Sequence, residues 1–138
     1  MKTLKAMVMG FALLLVCGVS QASSNKSTKD EVMDAYLNAV VHGKIAGVEN
    51  AIDDDAQFNI KRGNSVNSLT KPQMMESLRT SEDLEQQCQC TKTKLMDDTD
   101  MSVLKVEMKF NDFTRIDVIT AQRAGSGWKI TKVETSFA

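Results

Sequence analysis

Apolar residues at Val32, Met33, Tyr36, Leu37, Val40 and Val41 recur three and four places apart, so the stretch after Thr28 predicts a helix with one buried stripe. Thr28 and Glu31 form the capping box that opens it, and Gly43 ends it. Ile45, Val48 and Ile52 predict a second, shorter helix. Asp53-Asp54-Asp55 is assigned to a turn after it, because three carboxylates oppose the dipole at a helix C-terminus. From Ala56 the period drops to two, with Phe58 and Ile60 on one face and Gln57, Asn59 and Lys61 on the other, which is a half-buried strand. Arg62-Gly63-Asn64-Ser65 predicts a tight turn into a return strand over Val66 to Leu69.

Thr70 caps a third helix. Pro72 sits in its first turn, Gln73 completes a second capping box, and Met74, Met75 and Leu78 face inward. Beyond Glu85 the alternation returns in Gln87 to Met96, Met101 to Phe110, Phe113 to Ala124 and Trp128 to Phe137. Asn111-Asp112 and Gly125-Ser126-Gly127 link the last three as an antiparallel meander. This order predicts an α+β domain, with helices on one face of a curved antiparallel sheet.

The N-terminus follows a different pattern. Lys2 and Lys5 precede an apolar run from Ala6 to Val19, followed by Ser20-Gln21-Ala22, the layout of a secretory signal peptide cut after Ala22. The run is too short to span a bilayer, which takes about 20 apolar residues. Cys17 fits lipoprotein cleavage poorly, since Leu14, Leu15 and Val16 stand before it. The expected organisation is a signal peptide at 1–22, a disordered polar leader at 23–27 and one domain over 28–138. A periplasmic or secreted protein, with no membrane contact once the signal is removed, follows from it. The 138-residue chain carries a formal net charge of -1, and losing Lys2 and Lys5 makes it more acidic, which argues against nucleic acid.

The order of elements, with particular residues, resembles the nuclear transport factor 2-like superfamily, and within it the exported bacterial group called putative lumazine-binding proteins. The matching pieces are Tyr36-Leu37 through Gly43-Lys44 to Asp54-Asp55-Ala56, the Thr70 to Leu78 helix, Arg115-Ile116-Asp117-Val118 and Gly127-Trp128-Lys129-Ile130. They span nearly the whole chain after the leader, and they are packing and turn positions. The resemblance implies a cone-shaped fold, with three N-terminal helices packed on a curved, mainly antiparallel sheet and a pocket at its open end. It also implies a range of functions, from isomerases, dehydratases and polyketide cyclases to transport adaptors.

Candidate chemistry centres on one strand face. Arg115 and Asp117 lie two residues apart, with Phe113 and Ile119 on the same side. Related pockets use aspartates of the concave sheet, which makes Asp117 a candidate base whose pKa burial would raise. Arg115 would favour a carboxylate or phosphate ligand. The structural alternative is that the two pair with each other or with a neighbouring strand. Tyr36 and Trp128, each the only residue of its kind, combine an apolar body with one hydrogen-bonding tip and suit a ligand cavity. Core packing explains them too, and Trp128 more readily.

His42, the single histidine, reads as a dipole partner at the end of the first helix. It has no companion ligands, and neither a metal nor a cofactor is expected. Cys88-Gln89-Cys90 predicts a local disulfide, with an intermolecular link and redox chemistry as alternatives. Positions i and i+2 of a regular strand lie near the upper Cα limit of about 6.8 Å, so the ring would need a bulge or bend.

Three functional classes follow. The first is a domain binding a small organic ligand, lined by Tyr36, Phe113, Arg115, Asp117 and Trp128, or a homodimeric binding module. The second is a cofactor-free isomerase, dehydratase or cyclase using Asp117. The third is a structural domain that pairs through its open sheet face.

Overall fold

The computed structural model describes residues 27–138. The expected signal peptide and most of the polar leader lie outside them. The first helix, α1 (Lys29–His42), begins where the Thr28 hydroxyl accepts the Glu31 N–H at 3.1 Å and ends at Gly43, whose φ of 67° is left-handed. Its apolar stripe is buried as the spacing predicts. The second helix shrinks to one turn, α2 (Val48–Ala51), because Ile52 already opens strand β1 (Ile52–Arg62).

Asp53, Asp54 and Asp55 therefore belong to a strand rather than to a turn. Ile52 and Ala56 point into the core, and the pairing of β1 with β6 slips between Ile52 and Gln57, so the carboxylates fall in an irregular stretch with Asp54 and Asp55 exposed. There the Asp55 N–H donates to Asp53, and Lys71 pairs with Asp54 at 3.0 Å. Strand β2 (Ser65–Leu69) returns through Gly63, at a φ of 58°. Helix α3 (Lys71–Thr80) starts on the Thr70–Gln73 capping box.

Strands β3 (Gln89–Asp97), β4 (Met101–Lys109), β5 (Thr114–Ala124) and β6 (Gly127–Phe137) complete an open six-stranded sheet in the order β2-β1-β6-β5-β4-β3. Only β1 and β6 run parallel; every other pair is antiparallel. The helices are not all N-terminal, since α3 follows the β1–β2 hairpin. Edge strand β3 is exposed throughout, and Lys92 and Lys94 guard it against pairing with another sheet.

The core lies between the helices and one sheet face. Val106 and Met108 of β4, Asp117, Ile119 and Ala121 of β5, and Ile130, Val133 and Thr135 of β6 all point into it. The opposite face carries half-buried Val103, Ile116 and Val118 among ion-paired Lys105–Glu107 and Lys132–Glu134.

Candidate functional site

Period-two alternation aims Arg115 and Asp117 at the helices, and the strand register supplies their neighbours. Asp117 pairs with Val106 on one side and Thr135 on the other, while Arg115 pairs with Met108 and Phe137. Helix α1 crosses this face and brings Tyr36 down onto Asp117. The Asp117 carboxyl is completely buried and accepts four hydrogen bonds. Arg115 Nε donates to Oδ1 and Nη2 to Oδ2, both at 3.0 Å; Thr135 donates to Oδ1 at 2.8 Å; the Tyr36 hydroxyl donates to Oδ2 at 3.1 Å.

A carboxyl group offers about four acceptor positions, so this one is saturated. The expected base has no lone pair left for a substrate proton. Burial, and then the charge on Asp117, push the Tyr36 phenol well above its usual pKa, which keeps it protonated and donating. Burial works against the charge on Arg115, but the Tyr36 and Asp117 oxygens outweigh it and hold its pKa above the ordinary value. The network is a closed polar plug in an apolar core, and no buried side-chain nitrogen or oxygen among the described residues lacks a partner.

Sequence reasoning groups five residues, and the structure brings three of them together. Tyr36 and Asp117 touch Arg115's network but line none of the described cavities: Tyr36 is wholly buried, with its ring stacked at 6.5 Å on Phe58. Arg115 alone reaches out. Its side chain is 25% exposed and forms part of the wall of a cavity of about 160 Å³. Val40 from α1, Met74 and Leu78 from α3, and Met108 and Phe110 supply apolar lining; Ser77, Ser81 and Gln86 supply polar groups. Among the described residues, Arg115 Nη1 makes no hydrogen bond, and Arg115 is the one charged residue of this cavity's wall.

Phe113 stands outside this cavity, exposed at the β4–β5 turn, stacked on Phe110 at 4.6 Å and tilted against Phe137 at 5.9 Å. Trp128 lies at the far end of the sheet. It pairs with Arg123, eight residues along β5 from Arg115, roughly 27 Å away at about 3.4 Å per residue. Lys29 and Arg123 sit 5.6 Å from its ring centre, so it packs as a cation-bearing core residue and takes no part in the site. His42 is exposed at the end of α1 and meets Glu85 at 2.5 Å, which fits the dipole reading.

Thr135 has no signal in the sequence, and the inward-facing Met74 and Leu78 of α3 read there as core and not as cavity lining. A threonine in a strand is ordinary, and only the β5–β6 register turns it toward Asp117. In the structure Cys88 and Cys90 are free, with their sulfurs 3.9 Å apart, whereas the expected disulfide would bring them to about 2.05 Å. Burial, followed by Cys90, pushes the Cys88 thiol up to about 11. No cluster of three or more His, Cys, Asp or Glu side chains fit to hold a metal occurs among the described residues, and none of their helices is long and apolar enough to cross a membrane.

Residues 24–134 match the model of a family described as "Putative lumazine-binding". No curated protein matches the chain. Among solved structures, a nuclear transport factor 2-like protein of unknown function from Silicibacter pomeroyi is similar with a TM-score of 0.65 at 14% identity, over 78% of this chain and 90% of that one. One from Shewanella baltica gives 0.66 at 8% identity, over 78% and 89%. A ketosteroid isomerase-like protein from Erwinia carotovora atroseptica gives 0.59 at 14%, over 78% and 92%. At such identities the likeness speaks for the fold alone.

Proposed function

The chain belongs to the "Putative lumazine-binding" family of nuclear transport factor 2-like fold, and from that premise we propose that it binds a small, flat organic molecule bearing a carbonyl or anionic oxygen. One observation carries the reading. Asp117 holds one edge of the Arg115 guanidinium, through Nε and Nη2, while Arg115 forms part of the wall of a cavity whose apolar lining is Val40, Met74, Leu78, Met108 and Phe110 and whose neutral polar groups are Ser77, Ser81 and Gln86. A pocket that combines apolar side chains with a fixed guanidinium and a few neutral polar groups suits a planar ring held by its faces and an oxygen held at its edge. Tyr36, Thr135 and Asp117 stand behind Arg115 and fix its direction. Lumazine, a fused bicyclic ring with two carbonyl groups, has the required character.

A cofactor-free isomerase, dehydratase or cyclase draws less support, because the only buried carboxyl of the site has all its acceptor positions filled. A second copy fits the sheet face turned away from the helices, where Val103, Ile116 and Val118 lie half-buried under no helix. On that reading the protein is a homodimer, and Val118→Glu should give monomers by light scattering. A wild-type protein that is already monomeric at micromolar concentration would refute it.

Calorimetric titration with lumazine, beside native mass spectrometry of protein purified from its own organism, tests the ligand reading. One small molecule per chain is expected in at least one of the two. Ser77→Trp, which fills the cavity mouth from an exposed helix position, should abolish it without lowering the melting temperature. No binding in either measurement would overturn the proposal, as would binding that survives Ser77→Trp.

A further inference from the structure

The Cys88-Gln89-Cys90 pair is left unused by the ligand reading, and its surroundings point to a different chemistry. Cys90 opens the exposed edge strand and pairs in register with Met108 of β4, so the two side chains rise on the same face. Cys88, just before the strand begins, packs against the core. Cys90 and Met108 thus share one row of the sheet, in which Arg115 follows Met108, and Cys88 adjoins that row through Cys90. The two thiol sulfurs are 3.9 Å apart.

We propose that Cys88, Cys90 and Met108 form a binding site for one monovalent copper ion. With metal–sulfur bonds of about 2.3 Å, a planar three-coordinate ion spaces its sulfurs about 4.0 Å apart, whereas a linear two-coordinate one needs about 4.6 Å. The observed separation matches three-coordination, and Met108 is the residue placed to complete it. Zinc takes four ligands in structural sites, and no cluster of three or more His, Cys, Asp or Glu side chains exists among the described residues to supply them. Two thiolates and a thioether are the soft set that selects monovalent copper. Methionine's unbranched chain lets the thioether adapt to the ion.

The balance is simple. Two S–H bonds break, two copper–thiolate bonds and one copper–thioether contact form, and two protons leave to solvent without any change in oxidation state. The complex carries one net negative charge, which Arg115 is near enough to offset while Glu85 opposes it.

The probe is monovalent copper itself, presented under anaerobic conditions as its bicinchoninate complex to the whole protein after phosphine reduction. One copper per chain should be withdrawn from the chelator. Cys88→Ser with Cys90→Ser should abolish the transfer, and Met108→Leu, which preserves core volume, should weaken affinity about tenfold at unchanged stoichiometry. Zinc added in equal amount should not compete. The proposal fails if no copper is withdrawn, if transfer survives the double serine variant, if zinc displaces the ion, or if copper binds at half an equivalent with dimerisation.

Discussion

Asp117 shows how one side chain changes meaning with its neighbours. In isolation it is a candidate base; with Arg115, Tyr36 and Thr135 around it, it is the anchor that holds a cavity-lining guanidinium. Asp117→Asn keeps the shape but leaves Arg115 without a counter-charge, and breaking a buried pair costs about 3–5 kcal/mol. Arg115 is partly exposed, so the lower end applies; urea denaturation should show a loss near about 3 kcal/mol. An unchanged midpoint would mean that the pair contributes little.

Tyr36 offers an independent check, as it is the chain's only tyrosine. Its phenol pKa is raised in the fold well above the ordinary tyrosine value, mainly by burial and then by Asp117. The stability this gives is complete below pH 10 and declines as alkali ionises the unfolded chain first. Tyrosinate absorbance should therefore appear together with unfolding. A separate titration of the folded protein near pH 10 would contradict the buried hydrogen bond.

At the scale of elements, the end of α1 is the tightest junction. Gly43 is left-handed at 67°, and a Cβ there would meet the backbone of Leu84, Asp83 and Ser81 at 2.6, 2.7 and 2.8 Å. Those atoms are held in place, since the Asp83 N–H donates to the Gly43 carbonyl and the Gln86 N–H to that of Val41. Gly125 shares the positive dihedral at 62° but has open space around it. Gly125→Ala should cost only the backbone strain, about 1–2 kcal/mol. Gly43→Ala adds the clash and should cost clearly more in the same denaturation assay. Equal losses would show that the loop from α3 to β3 gives way. This loop carries Gln86 and Cys88 to the cavity end of the sheet, so its rigidity bears on both proposed sites.

For the whole molecule, the basic and apolar opening to Ala22 leads us to propose export with cleavage before Ser23. N-terminal sequencing of protein recovered from the producing cell should begin at Ser23. A mature chain retaining Met1 in the cytoplasm would refute it. Export and copper binding are separable outcomes, since the metal titration uses purified protein.

Much of the architecture was legible in the chain because period and capping are local. Thr28 with Glu31, Thr70 with Gln73, the stripe through Tyr36 and the alternation through Val106 each act within a few residues. The misreadings were also local: Asp53 to Asp55 read as a turn because their charge was visible, whereas the parallel partner that makes them strand was not. The sequence by itself determined the first and third helices, most strands, the antiparallel meander and the placing of Arg115 and Asp117 on one strand face. Only the tertiary structure decided that β1 runs parallel to β6, that Tyr36 and Thr135 close on Asp117, that Trp128 lies at the opposite end, and that Met108 stands beside Cys90. Those relations join residues far apart in the chain. They depend on strand register and on how a helix crosses a sheet, which burial across the whole molecule sets and no short window of residues contains.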